Sequence, residues 1–117
     1  HDKATGHWED WGRLDRWYAK QFAYFIYKMK KTEDANGSLL DNTLIMYGSA
    51  CSTTHNARNC PIILAGGANM GLKHGAYTKF EEKKERLSNL YVNMLNKLDI
   101  PTEQFSDSTG ELSTDIV

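Results

Sequence analysis

The stretch from Trp8 to Lys31 constrains this chain more than any other feature. Leu14, Trp17, Tyr18, Gln21, Phe22, Phe25 and Met29 recur at spacings of three and four, which predicts one helix over Trp8–Lys31 with a wide apolar stripe. Arg13, Asp15, Arg16, Lys20, Lys28 and Lys31 fall largely off that stripe. Trp8, Trp11, Trp17, Phe22 and Phe25 can be read as a sugar-stacking platform, but helical spacing favours packing against another surface. So aromatic a helix demands a large partner, and 117 residues leave little chain to supply it.

Two apolar runs follow. Thr43–Tyr47 (TLIMY) and Pro61–Ala65 (PIILA) have the continuous apolar character of strands covered on both faces. TEDANGS (32–38) reads as a loop with an Asn-Gly turn at Asn36–Gly37, and LKHGAYTKF (72–80) as a short hairpin turning near Gly75. EEKKERLSNLYVNMLNKLDI (81–100) predicts a second amphipathic helix, with Leu87, Leu90, Tyr91, Met94, Leu95 and Leu98 inward and Pro101 as the stop. The tail from Thr102 is polar apart from Phe105, Leu112 and Ile116, and suits an extended path across another surface. Helix, strand, loop, strand, hairpin and helix make an α/β arrangement. Two or three strands do not complete a doubly wound sheet, so residues 1–117 read as a single region of an incomplete domain. The chain opens on His1 without an initiator methionine, so a processed protein or a fragment is expected.

A net charge of −1 offers no global basic field to draw in nucleic acid. KMKK (28–31) and EEKKER (81–86) read as solvated surface. No apolar run approaches the ~18 residues that span a bilayer.

The chemistry concentrates in SACSTTHNARNC (49–60), which holds both cysteines, His55 and Arg58. Cys51 and Cys60 admit three roles. Cys-x3-His-x4-Cys supplies two sulfurs and a nitrogen of a zinc site, at a spacing unlike the common zinc motifs. A disulfide would close a ten-residue loop, a link worth roughly 2–3 kcal/mol. Two separate reduced cysteines are the third. A catalytic cysteine is disfavoured, because no orienting carboxylate adjoins His55. His55, after the C-terminal end of a strand, stands where α/β sheets build sites, and Arg58 beside it can hold an anionic ester that the imidazole protonates. The alternative is that both residues hydrogen-bond loop carbonyls and shape the turn. His1 and His7 read as a solvated terminus or as contributors to the same site; His74 reads as exposed and idle. AGGANMG matches neither a Walker A nor a dinucleotide fingerprint, and tight turns account for its glycines.

LLDNTLIMYGS (39–49), the apolar strand ending in glycines and RLSNLYVNMLNKLDIP (86–101) resemble the C-terminal part of alkaline phosphatase and sulfatase-like enzymes. RWYAKQFAYF (16–25), LDNTLIMYGS (40–49), HNARNCPIILAGG (55–67) and DSTG (107–110) resemble more closely a family of secreted bacterial proteins of planctomycete type and unknown function, related to that superfamily. Family members are several times longer, so the likeness is to a C-terminal portion. It implies a sandwich of parallel strands flanked by two long amphipathic helices, export to the periplasm, exterior or cell surface, and descent from divalent-metal hydrolases of phosphate or sulfate esters. The superfamily follows this strand with Ser-Asp-His-Gly, whose Asp and His ligate metal. Here Ser49 is followed by Ala50 and Cys51. Ala50 cannot ligate, and Cys51 suits zinc but not calcium. His55 is then the best remaining ligand or proton carrier, with Cys51 as the second metal candidate and His55 with Arg58 as the catalytic candidates.

Two functions follow: part of a hydrolase using zinc or calcium, or a relative that keeps the fold for binding or assembly after losing the ligands. In either, the remainder of the polypeptide or a partner chain covers the Trp8–Lys31 helix. A free-standing subunit is a third possibility. Such a chain alone is expected to be insoluble or molten, which a cooperative thermal transition would overturn.

Overall fold

The computed structural model describes residues 7–52, 55–81 and 83–112. In chain order these form α1 (Trp8–Lys31), β1 (Glu33–Asp34), β2 (Gly37–Ser38), β3 (Leu44–Gly48), β4 (Ile62–Gly66), a 3-10 turn (Ala68–Met70) and α2 (Leu87–Lys97). The protein is thus a mixture of helix and small sheets.

α1 has the predicted bounds. Glu9 and Asp10 in its first turn and Lys28, Lys30 and Lys31 in its last complement the helix dipole. It stops at Thr32, whose backbone N–H and Oγ1 both donate to the Lys28 carbonyl, at 3.0 and 2.9 Å. β1 and β2 follow as a minimal antiparallel hairpin, Glu33 opposite Ser38 and Asp34 opposite Gly37. The Asp34 carboxylate accepts from the Asn36 N–H at 2.7 Å, and Gly37 takes φ +101°, so the expected turn forms where the Asn-Gly pair places it.

Only the C-terminal half of α1 is seated. Phe22, Ile26 and Met29 are half-buried, and Phe22 stacks nearly flat on Tyr47 with ring centroids 4.4 Å apart. The packing expected of the other aromatics is not made among the described residues: Trp8, Trp11 and Trp17 are 54%, 55% and 53% exposed, and no residue of α1 is buried. Of the stripe only Phe22 and Met29 are half-buried, and the stripe extends well beyond them.

β3 and β4 pair with each other antiparallel, in register from Leu44↔Gly66 to Gly48↔Ile62. The sequence reading expects parallel strands between covering helices. A parallel pair needs a crossover long enough to return to the starting end, usually a helix. Residues 49–61 contain no helix among the described positions and turn straight back. Nor is the pair covered on both faces. Alternation puts Tyr47 and Ile63 toward α1 and Met46 on the other side, and Ile63 and Met46 are both exposed. Gly66 closes the far end with φ +76°. A Cβ there would lie 2.7 Å from the Leu40 carbonyl oxygen, so only glycine fits.

Residues 72–80 contain no strand, and the expected hairpin is absent; the bend at Gly75, φ +104°, is all that remains of it. α2 begins at Leu87 rather than near Glu81. The charged run ahead of it offers no apolar anchor, Lys83 sits at φ +65° and Arg86 is extended. The packed face of α2 is also turned from the predicted stripe. Val92 is fully buried and Leu90 nearly so, whereas Leu87 and Leu98 are exposed.

The tail does not leave for another surface. It folds back along α2 and is held there by three asparagines. Thr109 N–H donates to Asn89 Oδ1 (2.9 Å), Leu112 N–H to Asn93 Oδ1 (2.8 Å) and Thr102 N–H to Asn96 Oδ1 (2.8 Å). Phe105 meets Tyr91 edge to face at 5.8 Å.

The chain as a whole exposes 8976 Å². A compact monomer of 13.3 kDa would expose about 6,500 Å². Its radius of gyration is 16.6 Å, against about 13 Å for a compact domain of this length. Both values exceed those of a compact domain, and among the described residues the buried apolar side chains are Ile45, Leu72, Leu90 and Val92.

Candidate functional site

β3 and β4 deliver the two ends of the cysteine-containing loop to one edge of the small sheet. The ladder runs one bond past its last pair, Ser49 N–H to the Pro61 carbonyl at 3.2 Å. There the chain breaks away. Ser49 Oγ donates to the Cys51 carbonyl at 2.7 Å and accepts from the Cys51 N–H at 3.3 Å, a local turn that pulls residue 51 out of the strand path. Ser52 N–H donates to the Asn56 carbonyl at 2.9 Å, and Asn56 Oδ1 accepts from Arg58 N–H at 3.1 Å. These bonds span at most four residues and fold the loop on itself.

Cys51, His55 and Arg58 are therefore carried by one loop at one end of the hairpin, and all three are exposed. His55 and Asn59 hold left-handed backbone, φ 51° and 52°, which non-glycine residues adopt only at a cost of about 1–2 kcal/mol. Cys60 is half-buried, and both cysteines carry free thiols where the sequence reading weighs a disulfide between them. His7 stands at the N-terminus of α1 with Nδ1 3.9 Å from Asp10 Oδ2, a pairing within its own helix. His1 lies outside the described residues. His74, read as idle, is bonded: its Nε2 donates to the Gly66 carbonyl at 2.6 Å, next to the glycine that closes the sheet.

The loop borders a shallow open depression lined by Asn59, Lys79, Phe80 and Glu81. Sequence reasoning missed Lys79 and Phe80, because they sit in a segment without periodicity, twenty residues from the loop they join. Among the described residues, no three of His, Cys, Asp and Glu converge as a cation would need. A zinc or calcium ion at Cys51 and His55 would need further donors beyond these two. The exposed apolar surface lies mainly along α1, where His7, Asp10, Trp11 and Leu14 line a second open hollow. No described helix is long and apolar enough to cross a membrane.

No family model, curated protein or solved structure matches the chain.

Proposed function

We propose that this chain is a binding or assembly segment of an exported protein of alkaline phosphatase/sulfatase-like descent, and that the apolar face of α1 is the surface it uses. The observation that carries this is a helix of 24 residues with none of them buried. A solitary helix of that length is marginal in water, and its stability normally comes from the partner its apolar face meets. Covering roughly 100 Å² of each half-exposed tryptophan is worth about 2.5 kcal/mol per residue before the cost of association. Three tryptophans, together with the exposed Leu14, Tyr18 and Phe25 of the same helix, make a strong driving force. The covering surface is the remainder of the same polypeptide or a partner chain. Conversion of Trp11 and Trp17 to Asp in the source protein is expected to disrupt that association, read as a change in elution volume or aggregation. Unchanged assembly by the double variant would overturn the reading.

A second reading keeps chemistry in the loop, and His55 favours it: a histidine in left-handed backbone, three residues from an arginine, at the end of a strand. In it Arg58 binds the anionic oxygens of a phosphate or sulfate ester and His55 protonates the leaving oxygen. General acid catalysis of this kind contributes about 10²–10⁴-fold. If His55→Ala lowers ester hydrolysis by the source protein a hundredfold, the hydrolase reading replaces the first. Under the binding reading the substitution leaves any such activity unchanged.

A further inference from the structure

We propose that the outer edge of β3 is a docking edge for one further strand: an extended, uncharged segment from the remainder of the polypeptide pairs with Leu44, Met46 and Gly48. The proposal rests on the reading of α1 given above only for the shelter that helix provides, and its test reads different atoms.

The edge follows from the ladder. Ser49 N–H donates to the Pro61 carbonyl, and these two residues continue the register from Gly48↔Ile62 by one step. In an antiparallel ladder, hydrogen-bonded pairs alternate with pairs that share no bond. Tyr47↔Ile63 and Ile45↔Ala65 are therefore the bonded pairs, and Leu44, Met46 and Gly48 turn their N–H and carbonyl groups away from β4. On the far side Ile62, Leu64 and Gly66 do the same. The chain caps that side in part, because the Gly66 carbonyl accepts from His74 Nε2 at 2.6 Å. Among the described residues, no backbone or side-chain bond reaches the outward groups of Leu44, Met46 and Gly48.

A strand that ends a sheet usually carries a charge, a proline or a bulge that turns other chains away. β3 has none of these: residues 42–50 are uncharged and free of proline, and the pairing with β4 is regular throughout. Two strands alone are also marginal in water. The position of α1 adds a second observation. Phe22 stacks on Tyr47 of β3, while Ile63, opposite Tyr47 on the same face, is 50% exposed. α1 thus lies over the β3 side of the pair. A strand joined to β3 lies ~4.8 Å further out, within the ~10 Å width of a helix. An extended backbone offers an N–H and a carbonyl toward one side at every second residue, the repeat that Leu44, Met46 and Gly48 present. A second copy of this chain joined there would set its own α1 over the adjacent strand, on the same face as the first. Packed helix axes need ~8–10 Å, so a second copy crowds the site and a strand without a helix of its own fits it.

Residue-resolved amide hydrogen exchange reads the edge directly. In the chain alone, Ile45 and Tyr47 should exchange slowly and Leu44, Met46 and Gly48 fast, an alternation set by the ladder. In the source protein the three outward amides should slow by at least ~tenfold. Exchange as fast there as in the chain alone overturns the proposal. So does slow exchange in the chain alone, which would mean the edge is closed from within. Met46→Pro removes an outward N–H and no bond to β4. In that variant of the source protein Ile45 and Tyr47 should stay protected while Leu44 and Gly48 speed up; unchanged Leu44 and Gly48 overturn the proposal. Replacing Met46 by its photoreactive diazirine analogue identifies the occupant without disturbing the strand. The expected crosslink is to a peptide of the source protein outside residues 1–117. A crosslink within 1–117, from the same or a second copy, or to a separate protein, overturns the assignment. The double substitution of Trp11 and Trp17 keeps the two readings apart: slow outward amides in that variant uphold the edge even where the α1 reading fails.

Discussion

α1 and α2 treat their side chains in opposite ways. α1 is the longer and the more aromatic, and it buries nothing fully; α2 has 11 residues and buries Ser88, Asn89, Leu90 and Val92. The difference lies in what each meets. Toward the N-terminus from Phe22, the apolar side chains of α1 meet no covering surface among the described residues. α2 meets its own C-terminal tail, and the tail's backbone groups are satisfied by asparagines at 89, 93 and 96, one helical face. Apolarity marks a wish for a partner, while side-chain hydrogen bonds to specific backbone groups mark a partner already present.

That contrast can be broken by substitution in the source protein. Gly66→Ala has the largest expected effect, a loss of about 3 kcal/mol or more, because left-handed strain adds to the clash with the Leu40 carbonyl. The denaturation midpoint reads it. Asn96→Ala removes the bonds to Thr102 N–H and carbonyl and to the Glu111 carboxylate. About 2 kcal/mol should go with them, and amides from Thr102 to Leu112 should exchange faster while α1 is untouched. If α1 loosens equally, the two regions are one unit and the contrast fails.

Asp99→Gly should gain about 0.5 kcal/mol. Asp99 caps α2 with φ 57°, while Asp99 N–H donates to the Asn96 carbonyl and Ile100 N–H to the Leu95 carbonyl, the paired bonds of a glycine-type cap. A loss instead would show that the aspartate has a role the cap geometry hides. The smallest effect is expected from Trp11→Ala in the chain alone: under ~0.5 kcal/mol, as for an exposed side chain. A loss above about 2 kcal/mol there would mean the helix packs within the chain after all.

Much of this was legible beforehand, and the limits have physical causes. The 3.6-residue period of α1 is long and uninterrupted, so its bounds read correctly. The strands read within one residue because β-branched and apolar side chains run unbroken between glycines and prolines. Their direction did not read, since a continuous apolar run looks the same in parallel and antiparallel pairs. The start of α2 was misplaced because EEKKER has good helix formers but nothing to bury, and propensity lost to the absence of packing. Asn89, Asn93 and Asn96 were visible at helical spacing, yet amides on a helix carry no signature of the backbone they will hold. At the candidate site, the shared loop of Cys51, His55 and Arg58 was plain from proximity. The hollow that Lys79 and Phe80 complete arises from tertiary contact alone.

The account's central claim is that the α1 face is open within this chain and covered in the protein that carries it. All three tryptophans lie on α1, so their fluorescence reports on that helix alone. Acrylamide quenching is therefore compared between the chain alone and the source protein. Strong quenching with red-shifted emission in the chain, and blue-shifted, protected emission in the source protein, is the predicted result. Equal, solvent-like quenching in both would contradict it.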